Sequence, residues 1–173
     1  NNNLMMIRDY KEYFINSNKD DYNIIIRDCL TTPNDKNIIS SEYDNFIFKQ
    51  IRQNINIFLN KIGTYITDDM IVLEIGEYWE PYIGAKKMFK NKKIYSMDIN
   101  PNLNPDYCED ITKKTSFESN YFDAIICLEV LEHTKNPFQA IEEIVRITKN
   151  NGLIFLSMPC NYRIHSPLPD AYR

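Results

Sequence analysis

The residues that could do chemistry in this chain are mostly acids. Glu74 and Gly76 sit in the stretch MIVLEIGEYWEPY, residues 70–82. Asp98 follows Gly76 by about 20 residues, a spacing that suits an acid accepting hydrogen bonds from ribose hydroxyls while the glycine lets backbone approach a ligand. A side chain capping the turn ahead of Asn100-Pro101 is the other reading of Asp98. Asp110, in YCEDIT, could accept from an exocyclic amine, with Ile111 against a flat base; a surface-loop acid would look the same. Glu129, Glu132 and His133 fall together in EVLEH. One turn of helix would put all three on one face. With His165 they could hold a divalent metal. Alternatively His133, with an ordinary pKa near ~6.5, could take a proton from an acceptor hydroxyl. A structural role for Glu132 and His133 is favoured over the metal.

These residues need elements to position them. Ile47, Ile51, Ile55, Phe58 and Ile62 recur at helical spacing and Gly63 stops the run. The apolar run 70–75 is too short for a helix before its glycine and reads as a strand. Residues 82–90 suggest a helix carrying Ile83, Lys86 and Phe89. KIYSMD (93–98) is a second strand, a third extended piece lies near Tyr107–Ile111, and FDAIICL (122–128) is a strongly apolar strand. Asn136-Pro137 starts a helix, with Asn as cap and Pro in the first turn. Phe138, Ile141, Ile144 and Val145 are its expected buried face, and Asn151-Gly152 its expected end. LIFLSM (153–158) is a further strand. The strands are apolar throughout rather than alternating, as in a parallel sheet covered by helices on both faces. Such sheets bind ligands at their carboxyl ends. Here those ends carry Glu74 and Gly76, Asp98, Asp110, Glu129, and Pro159 with Cys160.

The chain has 173 residues and a net charge of -4, with basic residues scattered among acids. This is one domain or slightly more, without the basic footprint of a nucleic-acid binder. No run of about 18 apolar residues suggests a membrane span, and the opening NNNLMMIRDYKEYF lacks a signal-peptide pattern. A cytoplasmic location is expected. Cys29, Cys108, Cys127 and Cys160 are far apart and read as free thiols of a reducing compartment. Residues 1–40 form an N-terminal arm or cap, with a helix near Leu4–Ile15, an apolar run NIIIR at 23–27 and a loop at Thr31–Asp35. Residues 41–173 form the main domain.

The stretch SNYFDAIICLEVLEHTKNPFQAIEEIVRITKNNGLIFLSMP resembles class I S-adenosylmethionine-dependent methyltransferases, and is methyltransferase type 11-like. The family order is an Asp-rich turn, the fourth strand, E-V-L-E-H, a Pro-started helix, an N-G turn and the fifth strand. The resemblance spans residues from about 68 to 173. DINPNLNPDYCEDIT and MPCNYRIHSPLPDAYR also look like methyltransferases of sugar and surface-polysaccharide modification. The resemblance implies an α/β Rossmann-like, doubly wound, mostly parallel sheet. It implies S-adenosylmethionine as cofactor, with Glu74 and Gly76 near its methionine part and Asp98 on the ribose with Ile99 against the adenine. It puts Asp110 and Ile111 at the adenine edge, and Leu128 and Glu129 beside the sulfonium. His133 and Glu129 are the catalytic candidates. No metal is expected; Glu129, Glu132, His133 and His165 are the weak candidates.

The family loop usually carries further glycines. This chain keeps Glu74, Gly76, Pro81 and Tyr82 but has Tyr78 where the second glycine belongs. A Cβ there can forbid a positive φ or block close approach. The expected activity is methyl transfer to a hydroxyl of a small-molecule or saccharide substrate, with no nucleic-acid or membrane partner. The alternative is a catalytically inactive interaction protein of the same fold with a degenerate loop. A nicotinamide-dependent enzyme is third, disfavoured by the missing G-x-G-x-x-G. The family sheet has seven strands, and the last two are not seen here. LIFLSM would then be an exposed edge. The N-terminal NIIIR segment, a homodimer partner or residues of a longer chain would cover it.

Overall fold

The structure, a computed structural model, describes residues 42–76 and 83–158, with side chains from residue 49 onward. The expectations for Leu4–Ile15, NIIIR, Thr31–Asp35, Tyr78, Trp79, Pro81, Tyr82, Pro159, Cys160 and His165 lie outside these residues, as does any cover that NIIIR would give the sheet edge.

Helix α1 runs Glu42–Gly63. Its apolar stripe turns inward as the spacing predicts: Ile62 is fully buried, Ile55 and Phe58 nearly so, and Ile51 packs partly against them; Leu59, not among the expected residues, is fully buried as well. Each such side chain contributes about 1.5–3 kcal/mol by leaving water. The stripe lies on one face of the sheet, against Val72, Ile94, Ala124, Ile126, Leu128 and Phe155.

The sheet has five strands: β1 Val72–Ile75, β2 Ile94–Asp98, β3 Tyr107–Cys108, β4 Phe122–Leu128 and β5 Thr148–Ser157. Their order is β3-β2-β1-β4-β5, and every pairing is parallel. The fold class expected from the apolar strands is therefore the one observed. β1 is buried along its whole length, and β4 nearly so. Alternate residues serve the two faces. Leu73, Ile75, Met97, Ile125 and Cys127 point away from α1 into a second core with Ile111, Phe117, Leu131, Ala140, Ile144 and Ile147. Among the described strands β5 is an edge.

That second core is closed by α3, Pro137–Ile147; the short α2 is Ala85–Met88. The α3 cap is as expected: Asn136 accepts a hydrogen bond from the Gln139 amide, with Pro137 in the first turn. The buried face is not. Phe138, Ile141 and Val145 are exposed, at 70 %, 38 % and 58 %, and of the four expected residues only Ile144 is buried. Pro137, Ala140, Ile144 and Ile147 face the sheet instead. Both stripes are apolar, one residue (about 100°) apart round the helix. The small Ala140 lets the second stripe approach the strands closely.

Three boundaries also differ from expectation. α3 stops at Ile147, not at Asn151-Gly152, because Thr148 turns extended and both its amide and its hydroxyl bond the Ile144 carbonyl. The chain enters β5 at once, with an irregular register against β4 between Phe122 and Ala124 and Asn151 left-handed at φ 65°. β3 ends at Cys108 rather than near Ile111, and the helix expected over 82–90 contracts to α2. No helix among the described residues is long and apolar enough to cross a membrane.

Candidate functional site

The parallel register brings the carboxyl ends of four strands into one row. Ile75 is level with Met97 and with Cys127, so Gly76 leaves the sheet beside Asp98 on one side and Leu128 on the other. Asp98 is paired with Cys108, two residues before Asp110. Adjacent strands are about 4.8 Å apart, so Gly76, Asp98, Asp110 and Glu129 border one shallow crest.

Gly76 has φ +83°, and its amide donates to the Met97 carbonyl at 2.9 Å. A Cβ there would be strained and would meet Val130 Cγ2 at 2.3 Å. The turn at the end of β1 and the chain leaving β4 are thus packed against each other.

Glu74 is only 3 % exposed. Its Oε1 accepts from the Ala85 amide at 2.6 Å and its Oε2 from the Lys86 amide at 2.9 Å. Such bonds to a charged acceptor contribute about 1.5–3 kcal/mol each. They fasten the first turn of α2 to β1. Glu74 shapes the site through backbone. Gly84 is a residue that sequence reasoning missed: a Cβ there would lie 2.5 Å from Glu74 Oε1. A glycine immediately before a helix start was the available signal, hidden because the helix was expected to run through it.

Asp98 makes the turn cap that was its second sequence reading. Its Oδ1 accepts from the Asn100 amide at 2.7 Å, capping the turn, and the residue is half-buried in the row of strand ends. Ile99 is 65 % exposed and offers an apolar surface beside it. Asp110 is half-buried. Burial alone would raise its pKa, but the Thr112 hydroxyl (2.7 Å) and amide (3.0 Å) and the Lys113 ammonium (3.3 Å) more than offset this and hold the carboxyl below its ordinary range. Ile111 is 5 % exposed and belongs to the second core. The exposed platform beside the acids is therefore Ile99.

Leu128 is buried against the α1 side. Glu129 has φ +56°. Its amide donates to the Ser157 carbonyl at 3.0 Å, and its Oε1 accepts from the Ser157 hydroxyl at 2.7 Å. EVLEH is therefore not one helical turn. A 3-10 turn covers only Leu131–His133, and Glu129 stands outside it with left-handed backbone. Glu132 is 1 % exposed with its Oε1 3.7 Å from His133 Nε2. Glu129, Glu132 and His133 consequently do not share a face, and among the described residues no three His, Cys, Asp or Glu side chains gather as a metal site. Burial, with the Glu132 carboxylate, pushes the Cys127 thiol well above its ordinary range; Cys127 and Cys108 are both free thiols. Ser157 is the second residue sequence reasoning missed, since within LIFLSM it looks like any strand residue.

Residues 81–156 match the family described as methyltransferase domain. Over 131 residues the chain is 31 % identical to an uncharacterised protein of Methanocaldococcus jannaschii, covering 72 % of this chain and 53 % of that one. It is 40 % identical over 50 residues to the ubiquinone biosynthesis O-methyltransferase of Glaesserella parasuis, covering 28 % of this chain and 21 % of that enzyme. The chain thus spans about half the length, or less, of the curated relatives it matches. A Bacillus halodurans protein proposed to be a methyltransferase superposes with a TM-score of 0.46 at 21 % identity, over 57 % of this chain and 45 % of that one. A methyltransferase-domain match over residues 81–156, carried on a five-stranded parallel sheet of order β3-β2-β1-β4-β5, gives the chain the α/β Rossmann-like methyltransferase fold.

Proposed function

We propose that the chain binds S-adenosylmethionine along the row of strand ends and directs its methyl group to a hydroxyl of a small-molecule or saccharide acceptor. The observation that carries this reading is the convergence of Gly76, at φ +83°, with Asp98 and Glu129 on neighbouring parallel strands. The residues suit the group. Asp98 is placed to accept hydrogen bonds from ribose hydroxyls, Ile99 to lie against the adenine, and Asp110 to accept from its amine. Glu129 brings negative charge towards the methionine end. When bound, the cofactor supplies an electrophilic methyl group on a cationic sulfur.

The remaining work belongs to the chain and is mainly placement, since holding donor and acceptor in line removes much of the entropic barrier. An acceptor hydroxyl would have to give up its proton to a base of this chain. His133, with its side chain 21 % exposed, and Glu129 are the candidates. The similarity to an O-methyltransferase supports an oxygen acceptor. The sugar assignment rests on the sequence resemblance in residues 98–112 and 158–173.

The test is transfer of label from methyl-labelled S-adenosylmethionine to a panel of saccharides and small alcohols. Labelled ether product supports the reading. Failure of the folded protein to bind the cofactor would favour the inactive interaction protein of the same fold with a degenerate loop, as the Tyr78 substitution suggests.

A further inference from the structure

β4 and β5 are paired so that Leu128 lies level with Ser157. Glu129 therefore leaves the sheet beside the last residue of β5. Two hydrogen bonds cross at this point. The Glu129 amide donates to the Ser157 carbonyl at 3.0 Å, and the Ser157 hydroxyl donates to Glu129 Oε1 at 2.7 Å. The first holds main chain to main chain. The second ties down a carboxylate, and it comes from a residue that is 8 % exposed, so the hydroxyl is held by packing as well as by its bond.

Backbone strain marks the same spot. Glu129 adopts φ +56°, a region that an L-residue with a long side chain enters only when its surroundings impose it. The consequence is visible one residue on. Val130 lies against Gly76, close enough that a Cβ on Gly76 would meet its Cγ2 at 2.3 Å. The kink at Glu129 and the turn at Gly76 are one packed unit, and Ser157 braces its acidic side chain from the neighbouring strand.

We propose that Ser157 is a positioning residue, whose hydroxyl fixes the Glu129 carboxylate so that it faces the positively charged sulfur of S-adenosylmethionine. This rests on the cofactor reading above. A carboxylate fixed by a hydrogen bond keeps its charge directed, and it acts on a cation far more than on a neutral ligand of the same shape. S-adenosylhomocysteine is that neutral comparison at sulfur. It lacks the methyl group and the sulfonium charge but retains the adenosine and amino acid parts.

The experiment is calorimetric titration of both compounds into wild type, Ser157→Ala, Ser157→Thr, Glu129→Gln and the Ser157→Ala/Glu129→Gln double variant, with thermal melting of each. Ser157→Ala is expected to weaken S-adenosylmethionine by about tenfold and S-adenosylhomocysteine by less than about twofold. Ser157→Thr restores the preference. The double variant is expected to be no weaker than Glu129→Gln alone, because the hydroxyl acts through that carboxylate. Equal losses for both compounds, failure of threonine to rescue, or additive losses in the double variant overturn the proposal while leaving cofactor binding intact. A wild-type protein that melts cooperatively yet binds neither compound overturns the proposal and the cofactor reading together.

Discussion

At the amino ends of β4 and β5 the left-handed backbone positions are Asn120, φ 58°, and Asn151, φ 65°; at the carboxyl end of β4 the position is Glu129, φ 56°. Asparagine enters this region at little cost because its short side chain can bond locally, whereas most residues lose roughly 1–2 kcal/mol there. The charged groups differ in the same sense. At the amino ends Asp123 accepts from the Ile71 amide at 2.9 Å and from Lys149 at 2.7 Å. Burial alone would raise its pKa, but these bonds outweigh it and hold the carboxyl below its ordinary range. Close by, Glu143 receives two bonds from Arg146 and two from Thr115. Acids at that end finish the fold. At the carboxyl ends Asp98 and Glu129 are each oriented by a neighbour and stand in the row where strands, turns and an exposed Ile99 meet. The comparison teaches where this fold tolerates strain: the cheap residue is used where only a turn is needed, and the costly one where the reading above requires a carboxylate.

The largest expected effect is at Gly76. Gly76→Val combines a disfavoured φ with a clash against Val130 and should cost about 3–4 kcal/mol, read by urea denaturation, with loss of cofactor binding. A variant of wild-type stability would mean that the turn is not packed as described. Next is Glu143→Gln. The hydrogen bonds from Arg146 come first in lowering the Glu143 carboxyl to about 2 from an ordinary 4.5, with Thr115 adding to them against the cost of burial. Because the folded-state value is depressed, the stabilisation is complete above pH 4.5 and is lost as pH falls towards about 2. The substitution should cost roughly 2–3 kcal/mol at neutral pH, with the gap to wild type closing across that acid window and cofactor affinity unchanged. A gap that persists to the lowest pH would contradict the assignment. Smaller still, Asn120→Ala should lose about 1 kcal/mol and leave binding untouched. If it instead abolished binding, the division between the two ends would fail.

Much of this division is legible in the sequence. β1 and β4 are short apolar runs between polar punctuation, so length and burial on both faces identified them. α1 has a single apolar stripe, and its periodicity located its inner face. The buried face of α3 is not legible, because two adjacent stripes, Pro137/Ala140/Ile144/Ile147 and Phe138/Ile141/Val145, are both apolar, and periodicity does not rank them. The decision came from how closely Ala140 lets the backbone approach the sheet. In the site, the strand-end position of Asp98 followed from topology, and its turn cap from the Asn-Pro that follows it. The left-handed Glu129 did not, since nothing in E-V-L-E-H favours positive φ; that conformation is imposed by Ser157 from β5 and by Val130 against Gly76. Glu74 lies in the strand that its apolar run predicts, but its grip on the α2 amides depends on Gly84, a tertiary requirement that local pattern does not display.

The most direct measurement is a calorimetric comparison of S-adenosylmethionine binding to wild type and to Asp98→Asn. Asparagine can still accept from the Asn100 amide, so the turn is preserved while the charge that would face the ribose is removed. The account predicts saturable heat with wild type, an affinity at least about tenfold weaker in the variant and equal melting temperatures. No heat from a folded wild type at millimolar ligand, or equal affinities for the two proteins, would contradict it.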